Sequence, residues 1–206
     1  VVNSAGRMKL SVLQVANSPH YHRHFSGFTQ SSAIVSIASA VLHPDLLLSF
    51  GTAGGIEGRV HVGDAVLGSG TVFIDRTRTS SKVSHDWGVF GGPTMPAPRL
   101  AKDLNMRSGH LGCQISYNCS QLHMHLIRHL DVVALDMESA SEAQISMQVG
   151  LNFMAIKVIS NLVYLGDGAK MEEEYVQNKL EVSKRSLALL DKLLNYLVGK
   201  CPQDLQ

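Results

Sequence analysis

The chain has 206 residues, 45% of them hydrophobic and 17% charged, which allows one sizeable core and favours one domain over residues 1–206. Its 18 basic and 17 acidic residues nearly cancel. That balance argues against nucleic acid or an anionic membrane surface as partner and favours a small neutral or zwitterionic ligand. Cys113, Cys119 and Cys201 form no C-x-x-C pair, so a reducing, cytoplasmic setting is expected. No apolar run reaches the roughly 18 residues of a membrane-spanning helix, and VVNSAGRMKL does not form a signal peptide.

Apolar runs alternate with amphipathic stretches, as in successive βα units, and predict a mostly parallel sheet covered by helices. Leu10 to Val15 is a short strand candidate, and Ser31 to Leu42 a packed helix. His43-Pro44 should end that helix, because proline drives its predecessor from helical geometry. Asp45 to Phe50 (DLLLSF) reads as a strand buried on both faces, broken by Gly51 to Gly55 (GTAGG). Val62 to Ile74 reads as a long strand bent at Gly68 and Gly70. Thr77 to Pro98 gathers polar, Gly and Pro residues and is expected to be a surface loop. A short helix near Arg99 to Leu104 follows, whereas Gly109 to Cys119 has no clear pattern. Val132 to Met137 is another buried strand, Glu138 to Val149 a helix, and Asn152 to Ser160 the last strong strand. Glu172, Glu173 and Glu174 suit a helix N-terminus. Leu187, Leu190, Leu194 and Leu197 recur at helical spacing before a stop at Gly199.

Three of these strands end in distinctive residues: Gly51 to Gly55, Asp136-Met137-Glu138, and Ser160-Asn161. Ligands of open α/β sheets collect at such carboxyl ends. The glycine turn lets backbone N–H groups approach a ligand, or is simply a tight turn. It lacks both G-x-G-x-x-G and a P-loop Lys-Ser/Thr. Glu138 can stabilise a helix N-terminus or accept hydrogen bonds from two vicinal sugar hydroxyls. Asn161 alone reads as a cap or turn residue. His20, His22 and His24, like His123, His125 and His129, lack the acidic residue of an H-E-x-x-H site. No metal, cofactor or thiol chemistry is assigned.

In order and spacing, GTAGG, VGDAV (62–66), LDMES (135–139) and KVISN (157–161) resemble the methylthioadenosine/S-adenosylhomocysteine nucleosidases of the nucleoside phosphorylase superfamily. The resemblance is closest to the plant-type members and extends from about Lys9 to the closing GKCPQDL. It implies a three-layer fold, a twisted mixed and mostly parallel sheet flanked by helices, usually in a homodimer. It also implies hydrolysis of the adenine–ribose bond through a transition state with positive charge on the sugar. Position by position, Thr52, Ala53 and Gly54 match the turn beside the ribose and the attacking water. Met137 packs against the ribose, and Glu138 holds its 2′-hydroxyl. Tyr117 lies against adenine, Asn118 reads the edge of the base, and Lys157 and Ser160 belong to the substrate side.

Three departures stand out. Asn161 occupies the position of the family's catalytic aspartate and has no titratable proton to give. The family's Ser/Thr-Gly-Asp falls near Cys113-Gln114-Ile115, which alters the loop that organises the adenine pocket. The family's water-activating glutamate lies on an N-terminal first strand without counterpart here. Three functions follow as expectations: a nucleosidase slowed at the acid position, a purine nucleoside phosphorylase, and a non-catalytic nucleoside-binding or storage member.

Overall fold

A computed structural model describes residues 8–15, 20, 26–76 and 81–205. The helix α1, Phe28–Leu42, ends at His43, whose left-handed backbone (φ 45°) turns the chain at the proline step. The strand β1, Leu46–Gly55, follows. It does not break at the glycine turn as expected. Gly54 and Gly55 instead continue the ladder, facing Asn161 and Leu162 on one side and Leu135 and Ala134 on the other. A side chain at Gly55 would meet Ile159 Cγ2 and Val60 Cγ2, each at 2.7 Å. The glycines therefore serve close strand approach, and the turn expected at residue 51 is delayed past residue 55.

The strand β2, Ala65–Phe73, bends where expected, with a register shift between Gly68 and Gly70. Within the expected loop lie α2, Lys82–Val89, and a short strand, β3, Phe90–Gly92. Pairing of β3 with β2 is what makes it a strand, and composition does not reveal such a long-range partner. Next come α3, Pro98–Asp103, and β4, Arg107–Cys113, which fills part of the segment without a clear pattern. The helix α4, Gln121–His129, starts at a capping box in which Ser120 and His123 exchange hydrogen bonds. Then β5, Val132–Asp136, leads to α5, Ser139–Gln148. The 11-residue β6, Asn152–Leu162, and the 30-residue α6, Gly168–Leu197, close the fold. Leu10–Val15 forms no strand, and Val12 is 83% exposed.

The sheet order is β3-β2-β4-β5-β1-β6, with β6 returning to pair with β2, so the sheet curls on itself. Its long ladders, β1 with β6 and β2 with β4, are parallel, and β2 meets β3 and β6 antiparallel. Helix α5 brings Ser139, Ala140, Ser141, Ala143 and Ser146 to its buried face, and these small side chains let it lie close to its neighbours. On α6 the buried positions are Met171, Val182, Leu193 and Leu197, while Leu187 is exposed. Of the leucine series read in the sequence, Leu197 is buried and Leu190 packs against the core, whereas Leu187 faces outward. Leu67, Leu100, Met154, Ile156 and Leu193 belong to one apolar core cluster.

Because Gly55 has no room for a methyl group, Gly55→Ala is expected to cost about 1–3 kcal/mol through overpacking. Urea denaturation measures this, and an unchanged midpoint would show that the strand ends are less tightly packed than described.

Candidate active site

Strand β6 is buried along nearly its whole length and carries one cationic side chain, Lys157, beside Gly51 of β1. Lys157 Nζ pairs with Asp136 Oδ2 at 2.9 Å, the two side chains being 5% and 1% exposed. It also donates to Ser49 Oγ at 3.1 Å. Asp136, the last residue of β5, accepts hydrogen bonds from the backbone N–H and the hydroxyl of Ser139. Burial by itself pushes the Lys157 ammonium down, but Asp136, Glu142 and Glu138 outweigh it and the net shift is upward. Lys157 is therefore a cation held in the interior by carboxylates.

Glu138 stands at the N-cap of α5 and accepts a hydrogen bond from the Gly27 N–H at 3.0 Å, tying the start of α1 to the end of β5. Burial pushes its carboxyl up and Asp136 adds to this, against the pull of Lys157 and the N–H groups of Gly27 and Met137. Glu142 follows one helical turn later. Burial raises its carboxyl too, opposed by Lys157 and Ser49. A cavity of about 720 Å³ opens over these groups, with Thr52, Glu138, Glu142 and Lys157 at its polar end and Leu48 and Phe50 on its apolar wall. That volume is within the range of small-ligand pockets.

Among the residues expected from sequence, Thr52, Glu138 and Lys157 meet on this cavity. Ala53, Gly54, Ser160 and Asn161 form an adjoining cluster at the ends of β1 and β6. There Ser160 Oγ donates to Ala53 O and to Asn161 Oδ1, and Asn161 Nδ2 donates to Leu162 O at 3.2 Å. Asn161 is 3% exposed. From α6, Asn178 donates to Ser160 O, and Glu174 accepts from the Leu162 N–H. Met137 is half-buried.

Tyr117 and Asn118 lie on the exposed loop after β4 and do not line the cavity. Even so, Tyr117 is within the field of Glu138. Burial pushes the Tyr117 hydroxyl up first, and Tyr175, Glu172 and Glu138 add to the shift. Gln114 organises this loop, its side chain donating to Ser116 O and accepting from Cys119 Sγ. Cys113 is fully buried, and burial followed by Asp136 raises its thiol, disfavouring a thiolate nucleophile.

His125 and His129 stack with ring centroids 6.1 Å apart, and no group of three or more metal-ligating residues occurs among the described residues. His22 and His24 lie outside the described residues. Sequence reading passed over Ser49, Asp136 and Glu142 as site residues. The available signals were a serine inside an apolar strand and a glutamate four residues after Glu138, hence on the same helix face.

Comparison with known proteins agrees with this architecture. The family model described as Phosphorylase superfamily matches residues 23–195. The chain belongs to that superfamily. It is 31% identical over 180 residues to the 5′-methylthioadenosine/S-adenosylhomocysteine nucleosidase of Arabidopsis thaliana, covering 86% of this chain and 69% of the relative. The solved apo structure of Arabidopsis thaliana 5′-methylthioadenosine nucleosidase superposes with a TM-score of 0.84 at 29% identity, over 92% of this chain and 77% of that one. A Neisseria meningitidis nucleosidase in complex with methylthio-immucillin-A shares the fold, with a TM-score of 0.70 at 19% identity over 84% of this chain and 78% of that chain. Within the superfamily the chain is thus a member of the methylthioadenosine/S-adenosylhomocysteine nucleosidases. The described residues include no helix long and apolar enough to cross a membrane.

Removing the buried cation should be severe for this superfamily member. Lys157→Met leaves Asp136 unpaired in the interior and is expected to cost about 3–5 kcal/mol. Chemical denaturation reads the loss, and restoration by the double variant Lys157→Met/Asp136→Leu would identify the unpaired carboxylate as its origin.

Proposed function

We propose that the protein hydrolyses the adenine–ribose bond of 5′-methylthioadenosine and S-adenosylhomocysteine, using water and no cofactor, in a cytoplasmic homodimer that serves methionine salvage. The observation that carries this reading is the meeting of Glu138, Thr52 and Lys157 on one cavity that runs along β1 from Leu46 to Thr52, just past the end of β5 and beside β6. Glu138 is suited to hold the ribose 2′-hydroxyl, since a carboxylate oxygen accepts what a sugar hydroxyl donates. Excess negative charge from Glu138 and Glu142 near the Lys157–Asp136 pair is complementary to positive charge developing on the sugar. Hydrolysis is favoured over phosphorolysis because the buried ammonium is already engaged by Asp136 and Ser49.

Asn161 stands in this reading at the acid position, where leaving adenine needs a proton. Its amide donates to Leu162 O. In Asn161→Asp an oxygen would replace Nδ2 there, and only a protonated carboxyl could donate to that carbonyl. The local hydrogen bond would therefore favour the protonated state that a general acid needs. This asparagine also supports the second reading, a nucleoside-binding or storage protein without turnover.

Adenine release from methylthioadenosine, with and without phosphate, separates the readings. The expected result is phosphate-independent release that rises about 10²- to 10⁴-fold in Asn161→Asp. Binding without release in both forms would establish the non-catalytic reading, and release dependent on phosphate would establish phosphorolysis. Independently, Glu138→Ala should weaken nucleoside binding by about 1.5–3 kcal/mol, the worth of a charge-assisted hydrogen bond. Calorimetric titration measures it, and unchanged affinity would remove Glu138 from the ribose.

A further inference from the structure

Glu142 enters the reading above only through its charge, with no contact to substrate or water assigned to it. It lies one turn after Glu138, so both carboxylates project from the same face of α5. It lines the cavity together with Thr52, Glu138 and Lys157. Its Oε2 is buried and has no hydrogen-bond partner among the described residues. A buried carboxylate oxygen left without a donor is costly, and such exceptions in folded proteins need an explanation. Glu142 helps to offset the charge of Lys157, yet the close contacts of that ammonium are Asp136 at 2.9 Å and Ser49 at 3.1 Å, so among the described residues no donor reaches Oε2. Glu138 is less free, since its carboxylate accepts the Gly27 N–H.

Resting on the nucleosidase reading, we infer that Glu142 is the general base that takes the proton of the attacking water. The oxygen of that water bonds to the ribose C1′ as the C1′–N9 bond breaks, and the electron pair of that bond leaves with adenine. The water proton goes to Glu142, adenine takes one proton from solvent, and Glu142 later returns its own to solvent, leaving the 5-thio-substituted ribose and neutral adenine. The groups facing Glu142 suit this task. Lys157 from β6 and Ser49 from β1 keep the carboxyl ionisable, while burial, Asp136 from β5 and Glu138 on its own helix raise it above the 4.5 of a free glutamate. A base is most effective when its pKa lies near the working pH.

The test is single-turnover adenine release from methylthioadenosine by the full chain, by Glu142→Gln and by Glu142→Ala, each also carried in the Asn161→Asp background. Binding of methylthio-immucillin-A is measured alongside. Both Glu142 variants are expected to lose about 10²-fold or more in rate, to keep their affinity for the analogue, and, for Glu142→Ala, to recover rate in proportion to added formate. Release by Glu142→Gln at the parent rate overturns the role of Glu142 and leaves the nucleosidase reading standing. Loss of rate together with loss of analogue binding, or without formate rescue, marks Glu142 as structural and also overturns it. No adenine from the unaltered chain and none from Asn161→Asp overturns the nucleosidase reading, and the role of Glu142 with it.

Discussion

An ammonium group in the middle of a buried strand costs several kcal/mol of desolvation unless a counter-charge is fixed beside it. Here Lys157 of β6 is matched by Asp136 at the end of β5, and Asp136 is in turn held by the N–H and hydroxyl of Ser139 at the start of α5. This chain of contacts sets where β5 stops, how α5 departs from it, and hence where Glu138 and Glu142 point. The carboxylates and the cation depend on each other. Without the lysine, three neighbouring carboxylates would repel, and without them burial would drive the lysine to lose its proton.

Close approach of the backbone is the second requirement. Gly54 and Gly55 let β1 sit between β5 and β6 at the point where the three strands converge, and the small residues of α5 bring that helix against its neighbours. The Ser31 and Ser141 hydroxyls, 2.8 Å apart, join α1 to α5 across the same junction. Bulk is excluded wherever the polar groups must meet, while the apolar weight of the fold is carried elsewhere, under α3, α4 and α6.

Asn161 is held in place by the strand end around it. Its amide is fully accommodated, accepting from Ser160 and donating to Leu162, and the surrounding strand end is anchored by Asn178 and Glu174 of α6. An amide fits a site that needs one acceptor and one donor without any titration, whereas a carboxyl fits it only when protonated. On the proposed reading, in which Asn161 stands at the acid position, asparagine there bears on the proton supply of the reaction far more than on the folding of the site.

The sequence by itself determined the strands β1, β2, β5 and β6 and the helices α1, α3, α5 and α6, because buried strands and amphipathic helices write continuous, periodic patterns, and the order and spacing of its short motifs carried the resemblance to the family. It also pointed to Thr52, Glu138 and Lys157, which sit at strand ends or in a motif of fixed spacing. Only the tertiary structure decided that GTAGG belongs to the ladder and that β3 exists, because both depend on partners distant in the chain. Leu10–Val15 had the composition of a strand but not the pairing of one. The same holds for Ser49, Asp136 and Glu142: each is an ordinary polar residue in sequence, and becomes part of one charged cavity only because folding removes water from around Lys157 and brings them beside it.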